Sequence, residues 1–252
     1  MRHQSGARLD YQASGGYPPL KEELASYLGL GRGVRCTADQ IMIVAGIQSG
    51  LSLVANLLLD IVDAVWMEDP GYPLARMAFE AAAASPVPIP VDREGLVVSI
   101  GKARCPNACL AYVTPSHQFP LGVTMSYARR RELLQWTRQA GAWIVEDDYD
   151  SEYQYDSRPI PALQGLDETG QVIYMGTFSK VLFPALRLGY VVLPSKLVSA
   201  FATTQRVTSF HPPLLEQVAM ALFMAEGEFI RHIRRMRGLY QDRRDHLLTY
   251  AR

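Results

Sequence analysis

Lys180 stands in Tyr174-Met-Gly-Thr-Phe-Ser-Lys-Val-Leu-Phe-Pro-Ala-Leu-Arg187, beside hydroxyl residues and seven positions ahead of an arginine. A lysine amine can form a Schiff base with a carbonyl compound. Thr177, Ser179 and Arg187 add the hydroxyl and guanidinium donors that suit a phosphate. An ordinary surface lysine in a turn is the alternative that this stretch leaves open by itself. The apolar runs on either side, Val172-Ile-Tyr-Met and Leu188-Gly-Tyr-Val-Val-Leu, read as short buried strands that would hold such a site rigid.

Other polar residues recur at the same kind of place. Ile41-Met-Ile-Val-Ala is an apolar strand followed by Gly46-Ile-Gln48 and a helix over 49–59, an arrangement that can turn backbone N–H groups toward an anion. Val65-Trp-Met is closed by Glu68-Asp-Pro-Gly-Tyr72-Pro. Leu110-Ala-Tyr-Val-Thr leads into Pro115-Ser-His117-Gln-Phe-Pro-Leu-Gly122, and Ala142-Trp-Ile-Val-Glu leads into Asp147-Asp-Tyr149-Asp. Each candidate follows a predicted strand, so all of them can converge on one crevice beyond the strand ends.

The elements that must position them alternate. An amphipathic helix starts at Pro18, carries Leu20, Leu24, Tyr27 and Leu28 on one stripe, and is expected to end within Gly29–Gly33. Helices are also expected over 74–84 and, capped by Ser126, as far as Gln139. The prolines of Val87-Pro-Ile-Pro-Val predict an edge strand. Strands that are near-continuous apolar runs, alternating with helices, predict an α/β chain with a mostly parallel sheet sandwiched by helices. After Leu193-Pro the pattern is helical, over 196–207, 213–225 and 228–250. The organisation expected is an N-terminal segment over 1–40, a large-domain core over 41–195, and C-terminal helices over 196–252 that lead into a small domain left incomplete.

Composition narrows the function classes. The 252 residues are 48% hydrophobic and 20% charged, and Lys plus Arg equals Asp plus Glu at 25 each, so the overall charge gives no footing to nucleic acid. The arginine cluster around Arg231–Arg237 reads as one solvated helix face. Three cysteines, Cys36, Cys105 and Cys109, lack metal-ligand spacing, which predicts free thiols in a reducing cytoplasmic compartment and no metal site. No apolar run is long enough to span a bilayer.

Five motifs in order, Gly16-Tyr-Pro-Pro-Leu with Arg32-Gly-Val, Glu68-Asp-Pro-Gly-Tyr-Pro, Thr114-Pro-Ser-His-Gln-Phe-Pro-Leu-Gly, Glu146-Asp-Asp-Tyr-Asp-Ser-Glu-Tyr and Gly176-Thr-Phe-Ser-Lys, resemble those of pyridoxal-phosphate-dependent aminotransferases of fold type I. Within them the chain looks most like the aminotransferase-like domain of MocR/GabR-type regulators of the GntR superfamily. The resemblance implies the aspartate aminotransferase-like large domain and pyridoxal 5'-phosphate as cofactor. It also implies Lys180 as the Schiff-base lysine and Asp147 as partner of the pyridine nitrogen, with Asp148 a competing choice. Tyr72 would stack on the ring and Tyr149 would donate to its phenolic oxygen. Gly46, Ile47, Gln48, Thr177, Ser179 and Arg187 would form the phosphate cup, and Tyr11 would reach the phosphate of a partner subunit, hence a homodimer.

Two departures qualify the resemblance. Phe119-Pro-Leu-Gly stands where typical aminotransferases carry Asn-Pro-x-Gly, with His117 or Gln118 as substitutes. The family's substrate-carboxylate arginine belongs to a C-terminal region that this sequence does not include, which predicts weak or absent transamination. The expected function is an aminotransferase-like sensor domain, lacking the DNA-binding module, in which an amino acid or amine forms an external aldimine. An active aminotransferase and an inactive fragment are the alternatives.

Overall fold

The computed structural model describes residues 14–155 and 160–250. Eight strands form one sheet in the order β1-β8-β7-β6-β5-β2-β3-β4, with β1 at Ile41–Val44, β2 at Ala64–Asp69, β3 at Ser85–Asp92, β4 at Gly95–Leu96, β5 at Leu110–Val113, β6 at Trp143–Asp148, β7 at Val172–Thr177 and β8 at Gly189–Val192. The pairs β2–β3, β2–β5, β5–β6 and β6–β7 are parallel, whereas β8 runs antiparallel to both neighbours and β4 antiparallel to β3. The sheet is therefore mixed and mostly parallel. Because β8 is reversed, its first residues lie at the same edge of the sheet as the last residues of β1 and β7.

Helices cover both faces. One apolar layer joins Met42, Met67, Tyr112, Val145 and Met175 to Leu51, Val54, Phe79 and Phe201 from the helices α2 (Ile47–Leu58), α3 (Pro73–Ala81) and α7 (Val198–Thr208). On the other face, Ile43, Tyr174, Tyr190 and Val192 meet Leu20, Leu24 and Leu28 of α1 (Pro18–Arg32), Met220 and Met224 of α8 (Leu214–Ala225), and Phe229 and Ile233 of α9 (Glu228–Tyr250). A third layer packs Trp66, Ala111, Val113 and Ile144 against Val98 of α4 (Val98–Arg104) and Leu133 and Trp136 of α5 (Tyr127–Ala140); a short α6 (Leu163–Leu166) adds Leu163. Strand residues alternate between faces, so neighbouring residues of one strand enter different layers.

Helix α1 ends within the expected Gly29–Gly33 window: it continues through Gly29 and Gly31 to Arg32 and is capped by Gly33, whose φ of 66° suits the left-handed cap. Two expectations need correction. The alanine-rich helix ends at Ala81, with Ala83 at φ 60°. Strand β3 is not outermost, because β4 pairs with Val91 and Asp92. The proline logic still holds locally: Pro86, Pro88 and Pro90 alternate, so their nitrogens share one side, and on that side Pro88 O accepts from Arg104 and Pro90 O from Val97 N. Helix α4 and the two-residue β4 had no strong periodic signal. Among the described residues no helix is long and apolar enough to cross a membrane.

Candidate functional site

The strand ends and the start of β8 enclose a cavity of about 230 Å³. Its wall includes Gly46, Ile47 and Gln48 after β1, Tyr72 after β2, Asp147 and Tyr149 at the end of β6, and Thr177, Ser179, Lys180 and Arg187 between β7 and β8. These ten residues were separate candidates in the sequence, and the fold brings all ten to one wall. Tyr11 lies outside the described residues. His117 does not line the cavity: it is exposed, and its Nδ1 lies 2.7 Å from Asp150 Oδ2, which raises its pKa. Its ring stacks toward Tyr149 with centroids 6.0 Å apart.

Gly46 is the N-cap of α2 with φ 85° and ψ 168°, a conformation essentially restricted to glycine. A Cβ there would sit 3.2 Å from the Arg187 guanidinium. Arg187 itself has φ 49°, left-handed for a non-glycine residue, and its Nη2 lies 3.5 Å from Ala45 O. The first turn of α2 thus meets a cation, an arrangement chemically able to hold an anion. Thr177 Oγ1 accepts from the Ser179 N–H at 3.1 Å, which shapes the turn that presents Lys180.

The two aspartates of β6 face opposite ways. Asp148 Oδ2 accepts from Arg32 Nε at 2.8 Å and from the Tyr174 hydroxyl at 2.7 Å, on the α1 side of the sheet. Asp147 faces the cavity side, where its Oδ2 accepts from the Tyr112 hydroxyl at 2.6 Å. Its Oδ1 is buried without a hydrogen-bond partner among the described residues. Burial pushes the Asp147 carboxyl up to about 7, against the opposing effect of the Tyr112 hydrogen bond.

The cavity also has walls that the motif reading did not assign: Tyr112, Thr114, Phe119 and Pro184. Phe119 stands between Tyr72 and Tyr149, edge-on to both, at centroid distances of 5.6 and 6.3 Å. Gln118 is buried and turned inward, donating to Glu68 Oε2 and to the carbonyls of Pro70 and Phe119. It therefore ties the 114–122 loop to the end of β2. Thr114 joins the same network through a 2.6 Å bond to Glu68 Oε2. The β5–β6 register puts the Tyr112 ring on the face shared with Val145 and Asp147.

Residues 1–250 match the family described as aminotransferase class I and II. The chain is 46% identical over 237 residues to the probable rhizopine catabolism regulatory protein MocR of Rhizobium meliloti, covering 94% of this chain and 48% of that protein. It is 44% identical to an HTH-type transcriptional regulator, YdeL, of Bacillus subtilis, over 89% of this chain and 48% of the relative. The chain thus spans about half the length of the curated relatives it matches. A solved kynurenine aminotransferase of Pyrococcus horikoshii, in complex with PMP, superposes with a TM-score of 0.90 at 32% identity, over 96% of this chain and 61% of that one. The family and its solved enzymes imply pyridoxal phosphate as the cofactor. With an α/β sheet of the same architecture and the family's sequence pattern along nearly its whole length, this chain belongs to the class I and II aminotransferase family.

Proposed function

We propose that this chain is the pyridoxal-phosphate-binding part of a MocR-type transcriptional regulator, in which binding of an amino acid or amine at the cofactor is the signal. The observation that carries the cofactor half is the single cavity wall shared by Lys180, Asp147 and Arg187. The regulatory half is supported by the similarity to MocR and YdeL.

The residues fit the cofactor on three counts. Asp147 keeps one buried oxygen without a partner, which suits a ring N–H donor. Gly46 leaves open the space beside Arg187 that a side chain would fill, which suits a phosphate at the N-terminus of α2. Lys180, the one lysine on the wall, is the amine available to a carbonyl carbon. Bound pyridoxal phosphate supplies an aldehyde that condenses with primary amines and a ring that withdraws electrons from the substrate's Cα bonds.

In this reading each side chain has a defined task. Lys180 Nζ would hold the carbonyl carbon of the cofactor, and as the one amine on this wall it would be the group able to take up or return a proton there. Asp147 Oδ1 would accept the ring N–H and hold that proton in place. Arg187, Thr177, Ser179 and the first amides of α2 hold the phosphate. Tyr72 would pack on the ring and Tyr149 would donate to its oxygen, with Phe119 edge-on to both tyrosines. A homodimeric partner would complete the phosphate site.

A second reading, an active aminotransferase acting on an amino acid or amine, is favoured by the likeness to kynurenine aminotransferase. One experiment separates them: the purified chain is loaded with pyridoxal phosphate and mixed with a panel of amino acids and amines, with and without a keto acid. The regulator reading expects a saturable change in the visible spectrum without sustained keto-acid production. Multiple turnovers would favour the enzyme, and no spectral response to any amine would contradict both.

A further inference from the structure

The cavity wall contains one buried hydrogen bond that none of these roles uses. Tyr112 of β5 and Asp147 of β6 are both buried, and the phenolic O–H donates to Asp147 Oδ2 at 2.6 Å. Residues 112 and 145 are register partners on neighbouring parallel strands, so Tyr112, Val145 and Asp147 lie on the same face. A phenol fixed by the packing of its own ring against Phe79 gives the carboxylate a single orientation. Oδ2 is then engaged, and Oδ1 is left as the one unpartnered oxygen.

We infer that Tyr112 is a positioning residue of the cofactor site: its O–H holds Oδ2 of Asp147, fixes the orientation of the carboxylate, and reserves Oδ1 for the ring N–H of pyridoxal phosphate. This rests on the cofactor reading proposed above. The physical need is clear from the surroundings. The titratable groups near Asp147 are Tyr112 of β5, Glu68 of β2, Asp148, Tyr149 and Asp150 of its own strand end, and Lys180 and Arg187 on the cavity wall. The acidic ones among them oppose ionisation, as does burial, whereas the Tyr112 hydrogen bond favours it.

The test uses the full chain as wild type, Tyr112→Phe, Asp147→Asn and the double variant. Phenylalanine keeps the ring that fills the core and removes only the O–H. In the cofactor-free protein, the pH dependence of thermal unfolding that Asp147→Asn abolishes is the titration of Asp147. In Tyr112→Phe its midpoint moves upward by about one pH unit, the size expected for losing a hydrogen bond to a charged group. A merely structural role would lower stability at all pH values and leave that midpoint in place, which would overturn the inference.

The second readout is pyridoxal phosphate affinity at fixed pH, followed by tryptophan fluorescence and visible absorbance. Tyr112→Phe weakens binding on the order of tenfold in the wild-type background and less than about twofold in the Asp147→Asn background. Equal losses in both backgrounds would also overturn it. If the wild type forms no adduct on Lys180, the proposed cofactor function fails and Tyr112 has no cofactor to serve; the pH midpoints then report the Tyr112–Asp147 coupling separately.

Discussion

Arg32 Nε lies 2.8 Å from Asp148 Oδ2, across the sheet face opposite to the one on which Asp147 meets the cavity. Adjacent aspartates of β6 each accept from a phenol and each keep one buried oxygen without a partner, but only Asp148 also has a guanidinium, while Asp147 lies on the cavity wall. Arg32 also donates to Ser116 Oγ, so the same side chain ties the C-terminus of α1 to the loop after β5.

Removing the guanidinium leaves Asp148 with the Tyr174 hydroxyl alone. Arg32→Met is expected to cost about 3–5 kcal/mol in urea unfolding at neutral pH, the range for breaking a buried ion pair from one side. Asp147→Asn should behave oppositely in the cofactor-free protein at pH 8, with stability unchanged or raised, because it removes a buried charge that has no ionic partner. A large loss from Asp147→Asn would contradict this account of the two residues.

Glu68 and Asp147 are buried and Glu152 half-buried, and desolvation raises all three carboxyls to about 7. A carboxyl with a raised folded-state pKa binds its proton more tightly when folded. Its stabilising contribution is complete below the unfolded pKa, near 4, and is lost as pH rises through about 7. The cofactor-free chain is therefore expected to melt at a lower temperature at pH 8 than at pH 5.5, by on the order of 5 °C. A melting temperature that rises over that interval would contradict the burial argument.

Gly46→Ala places a methyl group 3.2 Å from the Arg187 guanidinium in a backbone region that L residues avoid. The expected cost is about 1–3 kcal/mol of stability. Loss of pyridoxal phosphate affinity should accompany it and exceed that of His117→Ala. The His117 side chain is exposed and pairs with Asp150 outside the cavity, so its removal should change affinity less than about twofold. Isothermal titration of the two variants compares them directly.

Gln205 of α7 bridges two backbones: its Oε1 accepts from Gly15 N at 2.7 Å and its Nε2 donates to Ile43 O at 2.7 Å. Gln217 of α8 accepts from Tyr17 N at 2.8 Å. These glutamines, with the Ile43 N to Gly15 O bond, hold residues 15–17 along the edge strand β1. Gln205→Ala should lower stability by about 2 kcal/mol or more through two orphaned buried backbone groups. It should also increase proteolytic cleavage just before Gly16, read by mass spectrometry.

Much of this was legible in the sequence because the motifs follow apolar runs, and an apolar run in an alternating α/β chain places its end at the sheet edge. Lys180, Asp147, Tyr72 and Gly46 could be gathered on that basis. The resemblance's spacing to Lys180 favours Asp147 over Asp148, but the physical reason, which face of β6 meets α1, lies only in the fold. Tyr112 was hidden because an aromatic residue inside an apolar run reads as core, and its hydroxyl contact exists only through the β5–β6 register. His117 and Gln118 were interchangeable in the sequence; in the fold, Gln118 turns inward to Glu68 and His117 outward to Asp150. The glutamine clamps on residues 15–17 join positions about 190 and 200 apart, beyond the reach of any local pattern.

The most direct test of the central claim is to incubate the chain with pyridoxal phosphate, reduce with borohydride, and map the modified peptide. The sequence holds four lysines, Lys21, Lys102, Lys180 and Lys196, so the map distinguishes Lys180 from three other lysines and from the α-amino group. The account predicts one pyridoxyl group on Lys180, saturating at one per chain and absent in Lys180→Ala. Labelling of another lysine, or no stable adduct on a folded chain, would contradict it.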